Sequence, residues 1–241
     1  MPRVLARPWG NVIMKKLLST VALGAALCLF AGAVVAEPLA QSYKAGRDFS
    51  YRNPNGVWTY GYGTTGVKSN FTSLGALIDK CGGAEELTDC FRVNDGLVGS
   101  NVTGKVQVVN APSSSIVIPV GPLLLHPNAS GQDVIVQFKA PQAGNYQIKG
   151  FYQILDNAPT SVAPKIFINA RDVTKAAFGS TTDVVLSGAS NPAEKKAGEK
   201  KSFSLTRTLA QGDRLQFGLN PNGDWRFDST SFDVTITPVA N

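Results

Sequence analysis

Histidine is the scarcest chemical resource in this sequence, with one residue in 241. That excludes most His-clustered metal sites and leaves a Ser-His-Asp hydrolase only His126 to work with. His126 stands in Leu123-Leu124-Leu125-His126-Pro127, after an apolar run, where an imidazole bonded to a turn carbonyl is the expected role. No nucleophile-elbow motif lies beside it. The carboxylates are scattered over turn-rich segments, so no pair spaced for glycoside hydrolysis stands out. An Asp-x-Asp-x-Asp-Gly calcium loop is also missing, as are internal repeats and low-complexity linkers. These shortages together predict a protein without catalytic activity that requires no cofactor.

Charge of one sign is scarce as well. Arg3, Arg7, Lys15 and Lys16 precede Glu37, and beyond them 19 of the 23 basic residues face 17 acidic ones. Near balance, with no basic-aromatic motif, excludes a nucleic-acid footprint. Lys195, Lys196, Lys200 and Lys201 alternate with Glu194 and Glu199 beside Gly198, which reads as a solvated loop. Met14-Lys15-Lys16, the apolar residues 17–30, and Val34 and Ala36 before Glu37 have the layout of a secretory signal. Residues 1–36 are therefore expected to be an upstream extension plus a cleavable leader. Residues 37–241 are expected to be one exported domain, periplasmic or secreted, with no stable membrane insertion. Beyond the leader two cysteines remain, Cys81 and Cys90, and in an exported chain they are expected to form a disulfide.

What the chain has in quantity is alternation. Val134, Val136 and Phe138 alternate with Asp133, Gln137 and Lys139, although Ile135 falls on the polar side. Tyr146, Ile148, Tyr152 and Ile154 follow, then Ile166/Ile168, Phe203/Leu205, Leu215/Phe217/Leu219 and Phe232/Val234/Ile236. Turn-formers such as Pro141-Gln142-Ala143-Gly144 and Asn220-Pro221-Asn222-Gly223 separate the runs. Many short strands punctuated in this way predict an all-β protein, an antiparallel sandwich of two sheets. Leu74, Leu77 and Ile78 sit at helical spacing, so an excursion over about 67–100, partly helical and carrying the disulfide, is expected. Phe151 and Phe167 fall opposite their strands' apolar partners. They either meet another part of the fold or form exposed surface.

Several segments, taken in order, resemble a group of bacterial exported β-sandwich proteins, many of which carry a PEP-CTERM sorting tail. They are Asp48-Phe49-Ser50 with Asn53-Pro54-Asn55-Gly56-Val57-Trp58-Thr59-Tyr60-Gly61, Leu125-His126-Pro127, and Ala140-Pro141-Gln142-Ala143-Gly144-Asn145-Tyr146. Leu209-Ala210-Gln211-Gly212-Asp213-Arg214-Leu215-Gln216-Phe217 and Phe227-Asp228-Ser229-Thr230 complete the set. The group is similar to the galactose-binding, jelly-roll sandwiches of carbohydrate-binding modules, which makes jelly-roll topology the expectation. The resemblance also implies a structural calcium ion where first and last strands meet, with Asp48, Asn55, Asp228 and Asp233 as ligands. The alternative is that Asp48 and Asp228 act as turn caps. The sequence departs from the anchored members in ending at Thr237-Pro238-Val239-Ala240-Asn241, without a hydrophobic helix or basic tail.

Two aromatic groups could recognise a ligand. Trp58, Tyr60 and Tyr62 share one strand face, while Trp225 and Phe227 share another. Sugar rings stack on such planes, and Asn53, Asn55, Asn222 and Asp224 could bond the hydroxyls. The competing reading makes these aromatics core. Binding of a glycan or other extracellular polymer is thus the expected function. A structural envelope or matrix protein acting through protein–protein assembly is the alternative.

Overall fold

The computed structural model describes residues 42–78, 81, 87–94 and 96–240. The expected leader, and Glu85 and Glu86 of the expected helical excursion, lie outside them. Two antiparallel sheets face each other. In the first, the order is β14 (Lys200–Leu209), β11 (Gly144–Ile154), β16 (Thr230–Val239), β9 (Leu123–His126), β6 (Gly96–Asn101), β5 (Thr88–Val93) and β4 (Leu77–Ile78). Strand β1 (Tyr43–Lys44) pairs with the C-terminal half of β16, through Tyr43 opposite Ile236, while β9 pairs with its N-terminal end. The second sheet runs β13 (Arg171–Asp172), β12 (Ala163–Ile168), β15 (Arg214–Asn220), β10 (Asp133–Lys139), β2 (Trp58–Gly63) and β3 (Phe71–Ser73). No helix among the described residues is long and apolar enough to cross a membrane.

The period of two decides which residues meet between the sheets. Phe217 of β15 lies 5.4 Å from Phe232 of β16 and 5.8 Å from Phe203 of β14, ring centre to ring centre. Farther along, Phe138 of β10 meets Tyr146 of β11 at 6.2 Å, and Tyr60 of β2 stacks on Phe91 of β5 at 5.4 Å. Tyr146 also donates its hydroxyl to the Gln142 carbonyl at 2.8 Å, fixing the turn that precedes β11.

One glycine is demanded by this packing. A Cβ on Gly150 would sit 2.4 Å from the Asp233 carbonyl oxygen and 2.5 Å from the Phe203 ring. The bare backbone lets Phe203 lie across β11 between Ile148 and Tyr152. Gly150→Ala is therefore expected to destabilise the fold by about 1–3 kcal/mol, as overpacked cores do. A urea midpoint equal to that of the parent protein would refute this.

Two expectations need correction. The apolar residues near Leu74 form no helix. Phe71–Ser73 pairs with β2, and Leu77–Ile78 pairs with β5. A short apolar run has no unique period, and neighbouring strands decided the outcome here. Nor is the stretch to residue 100 an excursion, because β5 and β6 continue the first sheet and β6 contacts β9 directly. Cys81 and Cys90 are joined there, with Cα atoms 6.1 Å apart. The α-helix found among the described residues, Thr174–Phe178, was not foreseen; it seats Phe178 against Phe203 at 5.5 Å.

A smaller apolar cluster lies outside the main core. The hairpin β7 (Gln107–Asn110) and β8 (Ser115–Ile118) lays Ile116 and Ile118 on Leu97, Leu124 and Leu155. This hairpin ties down the segment after β11, since Val117 donates to the Leu155 carbonyl and Asn157 to the Ser115 carbonyl. That segment forms part of the candidate site.

Candidate functional site

The structure separates the two aromatic groups. Trp58 is 1% exposed and Tyr60 is fully buried, both in the main core, so neither ring offers a face for stacking. Tyr62 is partly buried and packs against the same core. The expected stacking platform on β2 is thus corrected to core. The Trp58 indole N–H points at the Asp48 carboxylate, 3.3 Å away. A cavity of about 370 Å³ opens beside this pair, bordered by Tyr43, Arg47, Asp48 and Asn55.

Trp225 remains half-buried, in the loop from Asn220 to Thr230 that joins β15 to β16. Its ring meets His126, at the end of β9, edge-on at 6.0 Å. His126 bonds the Pro127 carbonyl through Nδ1 at 2.8 Å, the role expected of a structural imidazole. Asn222 and Asp224 lie on the same loop as Trp225, as the sequence required. Asn222 donates to Ser161 Oγ at 3.0 Å. Asp224 receives Arg226 in a fork, Nη2 to Oδ2 at 2.6 Å and Nε to Oδ1 at 3.1 Å, and that guanidinium holds its carboxyl below the usual range.

A second loop, residues 155–162 between β11 and β12, is stitched to the first by Thr160. The Thr160 hydroxyl lies 2.8 Å from the Asp224 carbonyl, 2.7 Å from the Arg226 carbonyl and 2.7 Å from Asp228 Oδ1. Asp228 is fully buried, and its Oδ2 has no hydrogen-bond partner. Burial pushes its pKa up to about 7; the Thr160 and Ser161 hydrogen bonds oppose the rise, and the Asp156 and Asp224 charges add to it. Asp156, also buried, accepts from Ser114 Oγ at 2.7 Å and from the Ser229 amide at 2.7 Å, and burial raises its pKa too.

The expected calcium ligands do not converge. Asp48 is bound by Arg47 Nε at 2.7 Å, by the Lys44 amide at 2.8 Å and by Trp58, so its carboxylate is already compensated. Asn55 uses its side-chain N–H₂ to donate to the Asp48 carbonyl at 2.7 Å. Asp233 has the Lys44 ammonium at 3.3 Å. Asp228 precedes β16, whereas Lys44 sits opposite Thr235, about 20 Å along at strand rise. Among the described residues no three His, Cys, Asp or Glu side chains gather to hold a metal. The residues named from the resemblance therefore do not fit one ion.

Sequence reasoning missed Thr160, Arg226 and Asp156, and also a polar network on the outer side of β10. There Asp133, 2% exposed, accepts from Thr65 and Asn220 and pairs with Lys165. Phe167 packs over Gly66 on this side, while Phe151 carries Lys200 Nζ 3.8 Å from its ring centre. One of the two out-of-phase phenylalanines thus meets a loop and the other lies beneath a cation. No local motif marks Thr160; only the register of two loops brings it to Asp228.

No protein-family model matches the chain, and no curated protein does. Among solved structures, it is similar to a GH26-CBM35 β-(1,4)-mannanase of Podospora anserina, at 13% identity, 62% of this chain, 29% of that chain and a TM-score of 0.31. It is similar to CBM51-2 with INT domains from Clostridium perfringens ZmpB, at 10% identity, 75% and 32% coverage and a TM-score of 0.36. It is also similar to CBM35 from Paenibacillus barcinonensis, at 11% identity, 59% and 98% coverage and a TM-score of 0.30. The chain thus spans under a third of the first two and nearly all of the third. These likenesses are partial, and the β-sandwich assignment rests on the strand pairings above.

Proposed function

We propose that this chain is an exported, non-catalytic β-sandwich of jelly-roll type that binds a glycan or other extracellular polymer at the loop carrying Trp225. One observation carries the reading. Trp225 keeps a partly open indole on the same loop as the exposed polar groups of Asn222, Asp224 and Arg226. An aromatic plane beside amide, carboxylate and guanidinium groups suits a ring with apolar C–H faces and hydroxyl edges. The signal-like segment of residues 14–36 supports export. The lone histidine, bonded to a turn carbonyl, supports binding over turnover.

A glycan array, followed by titration of the best hit against Trp225→Ala, tests the proposal. Binding is expected to weaken at least about tenfold, roughly the worth of one stacked aromatic pair. The variant should unfold at the parent's temperature within a few degrees. A blank array would sink the saccharide reading and leave protein–protein assembly as the role to pursue.

A further inference from the structure

The outer face of the second sheet carries a chain of amides with donors left over at its end. On that face Gln137 of β10 stands opposite Gln216 of β15, and both are buried. The Gly66 N–H donates to Gln216 Oε1 at 2.7 Å, which fixes the oxygen end of that amide. Gln216 Nε2 donates in turn to Gln137 Oε1 at 3.1 Å. The Gln137 N–H₂ then has no acceptor among the described residues. Each amide polarises the next, so the terminal donor is strengthened.

Two cations meet this face beside the amides. Half-buried Arg214, in phase with Gln216 on β15, and Lys68, two residues after Gly66, line a hollow of about 210 Å³ with Gln216 and Asn169. Neither cationic side chain has an ion pair or hydrogen bond among the described residues. The neighbouring acceptors are already engaged. Asn169 Oδ1 takes the Arg214 backbone N–H at 3.1 Å, Asp213 Oδ1 takes Asn169 Nδ2 at 3.1 Å, and Asp213 Oδ2 takes the Ala210 N–H at 2.9 Å. Other described arginines are placed differently. Arg47 and Arg226 pair with carboxylates, Arg92 and Arg207 donate to backbone carbonyls, Arg52 lies on Tyr51, and Arg171 is exposed. Two like charges around one hollow repel, and a half-buried guanidinium without a partner is unfavourable. An anion between them removes both costs.

We propose that a doubly charged oxyanion of the phosphate or sulfate class binds here, held by the Arg214 guanidinium, the Lys68 ammonium and the Gln137 N–H₂. A guanidinium offers a planar fork to two oxygens and an ammonium supplies a compact charge, so together they match a dianion better than a carboxylate. The hollow is smaller than the roughly 300–1,000 Å³ of larger ligand pockets, which suits one anionic group, free or pendant on a polymer. It lies at the Arg214 end of β15, whereas the Trp225 loop leaves from the Asn220 end, about 20 Å along at strand rise. The anion site is therefore separate from the proposed glycan site and stands whether or not that loop binds a saccharide.

Calorimetric titration of the full chain with inorganic phosphate, sulfate and methyl phosphate, at constant ionic strength, tests the proposal. One site per chain is expected, with acetate at least about tenfold weaker than phosphate. Arg214→Gln and Lys68→Gln should each weaken binding about tenfold, the worth of one charged hydrogen bond. Gln137→Glu keeps the acceptor for Gln216 but replaces the donor by a negative charge, and should abolish binding. Lys149→Gln removes one positive charge from the outer face of the other sheet and should change nothing, which separates a site from general attraction. Thermal unfolding of each variant checks that the fold is intact, and Arg214→Gln with Lys68→Gln decides the matter if Gln137→Glu fails to fold. Tighter binding of methyl phosphate than of phosphate assigns the site to a pendant group, and the reverse order to a free ion. Absence of binding by the parent protein would overturn the proposal. So would undiminished binding by Arg214→Gln, or an equal loss in Lys149→Gln.

Discussion

Trp58→Ala is expected to cost about 3–5 kcal/mol, the range for deleting a large aromatic from a closed core. Against a typical stability of about 5–15 kcal/mol, that removes a large share of the folded population's margin. Three losses combine. The indole is 1% exposed, so nearly all its apolar surface returns to a cavity. Its edge contact with Phe138, 5.3 Å between ring centres, disappears. The N–H directed at Asp48 is lost as well, although that carboxylate keeps Arg47 and the Lys44 amide. Urea unfolding followed by circular dichroism reads the effect directly. A midpoint close to the parent's would show that the β2 aromatics are surface after all and would reopen them as a binding face. The contrast with Trp225→Ala, expected to spare stability, separates core from site in one experiment.

That contrast marks where the sequence stopped being informative. Alternation placed Trp58, Tyr60 and Tyr62 on one face of a strand, and the structure agrees. A period of two does not say which face is inside when both sides of a sheet are covered. The clue lay in the other phase, Gly61 and Gly63. A Cβ on Gly61 would strike the Phe71 ring at 2.4 Å, and one on Gly63 the Asn70 carbonyl oxygen at 1.6 Å. Glycines on one phase mean that another segment presses on that side, and the aromatics must then point to the core. Trp225 lies outside any periodic run, where only its turn-forming neighbours hinted at exposure. Thr160 and Asp228 are 68 residues apart. Their meeting depends on how two loops are held at the end of the sandwich, which no local pattern encodes. The long strands were legible because the burial of each repeats along ten or so residues. The residues near Leu74 were not, because a strand of two or three residues has no period to read.

Asp133→Ala has the other large expected effect, and sequence position alone argues the opposite. Asp133 occupies the polar phase of β10, where a surface substitution normally changes stability by less than about 0.5 kcal/mol. The structure instead folds residues 64–66 over that phase, leaving Asp133 2% exposed. Its carboxylate accepts from the Thr65 amide at 3.0 Å, the Thr65 hydroxyl at 2.6 Å and Asn220 Nδ2 at 2.6 Å, and it pairs with Lys165 Nζ at 3.1 Å. Truncation strands a partly buried ammonium and three donors, for which a cost of about 3–5 kcal/mol is expected. Asp133→Asn should cost less, about 1–3 kcal/mol, because the amide keeps one acceptor oxygen but turns an N–H₂ toward existing donors. Lys165→Met should also cost about 1–3 kcal/mol, because it leaves the Asp133 charge buried without a cation while its three neutral donors remain. A cost for Asp133→Ala above that of either Asp133→Asn or Lys165→Met is the signature of a donor-saturated buried carboxylate. If Asp133→Ala unfolds within about 1 kcal/mol of the parent, residues 64–66 do not close over β10 in solution, and the outer face of that sheet is open.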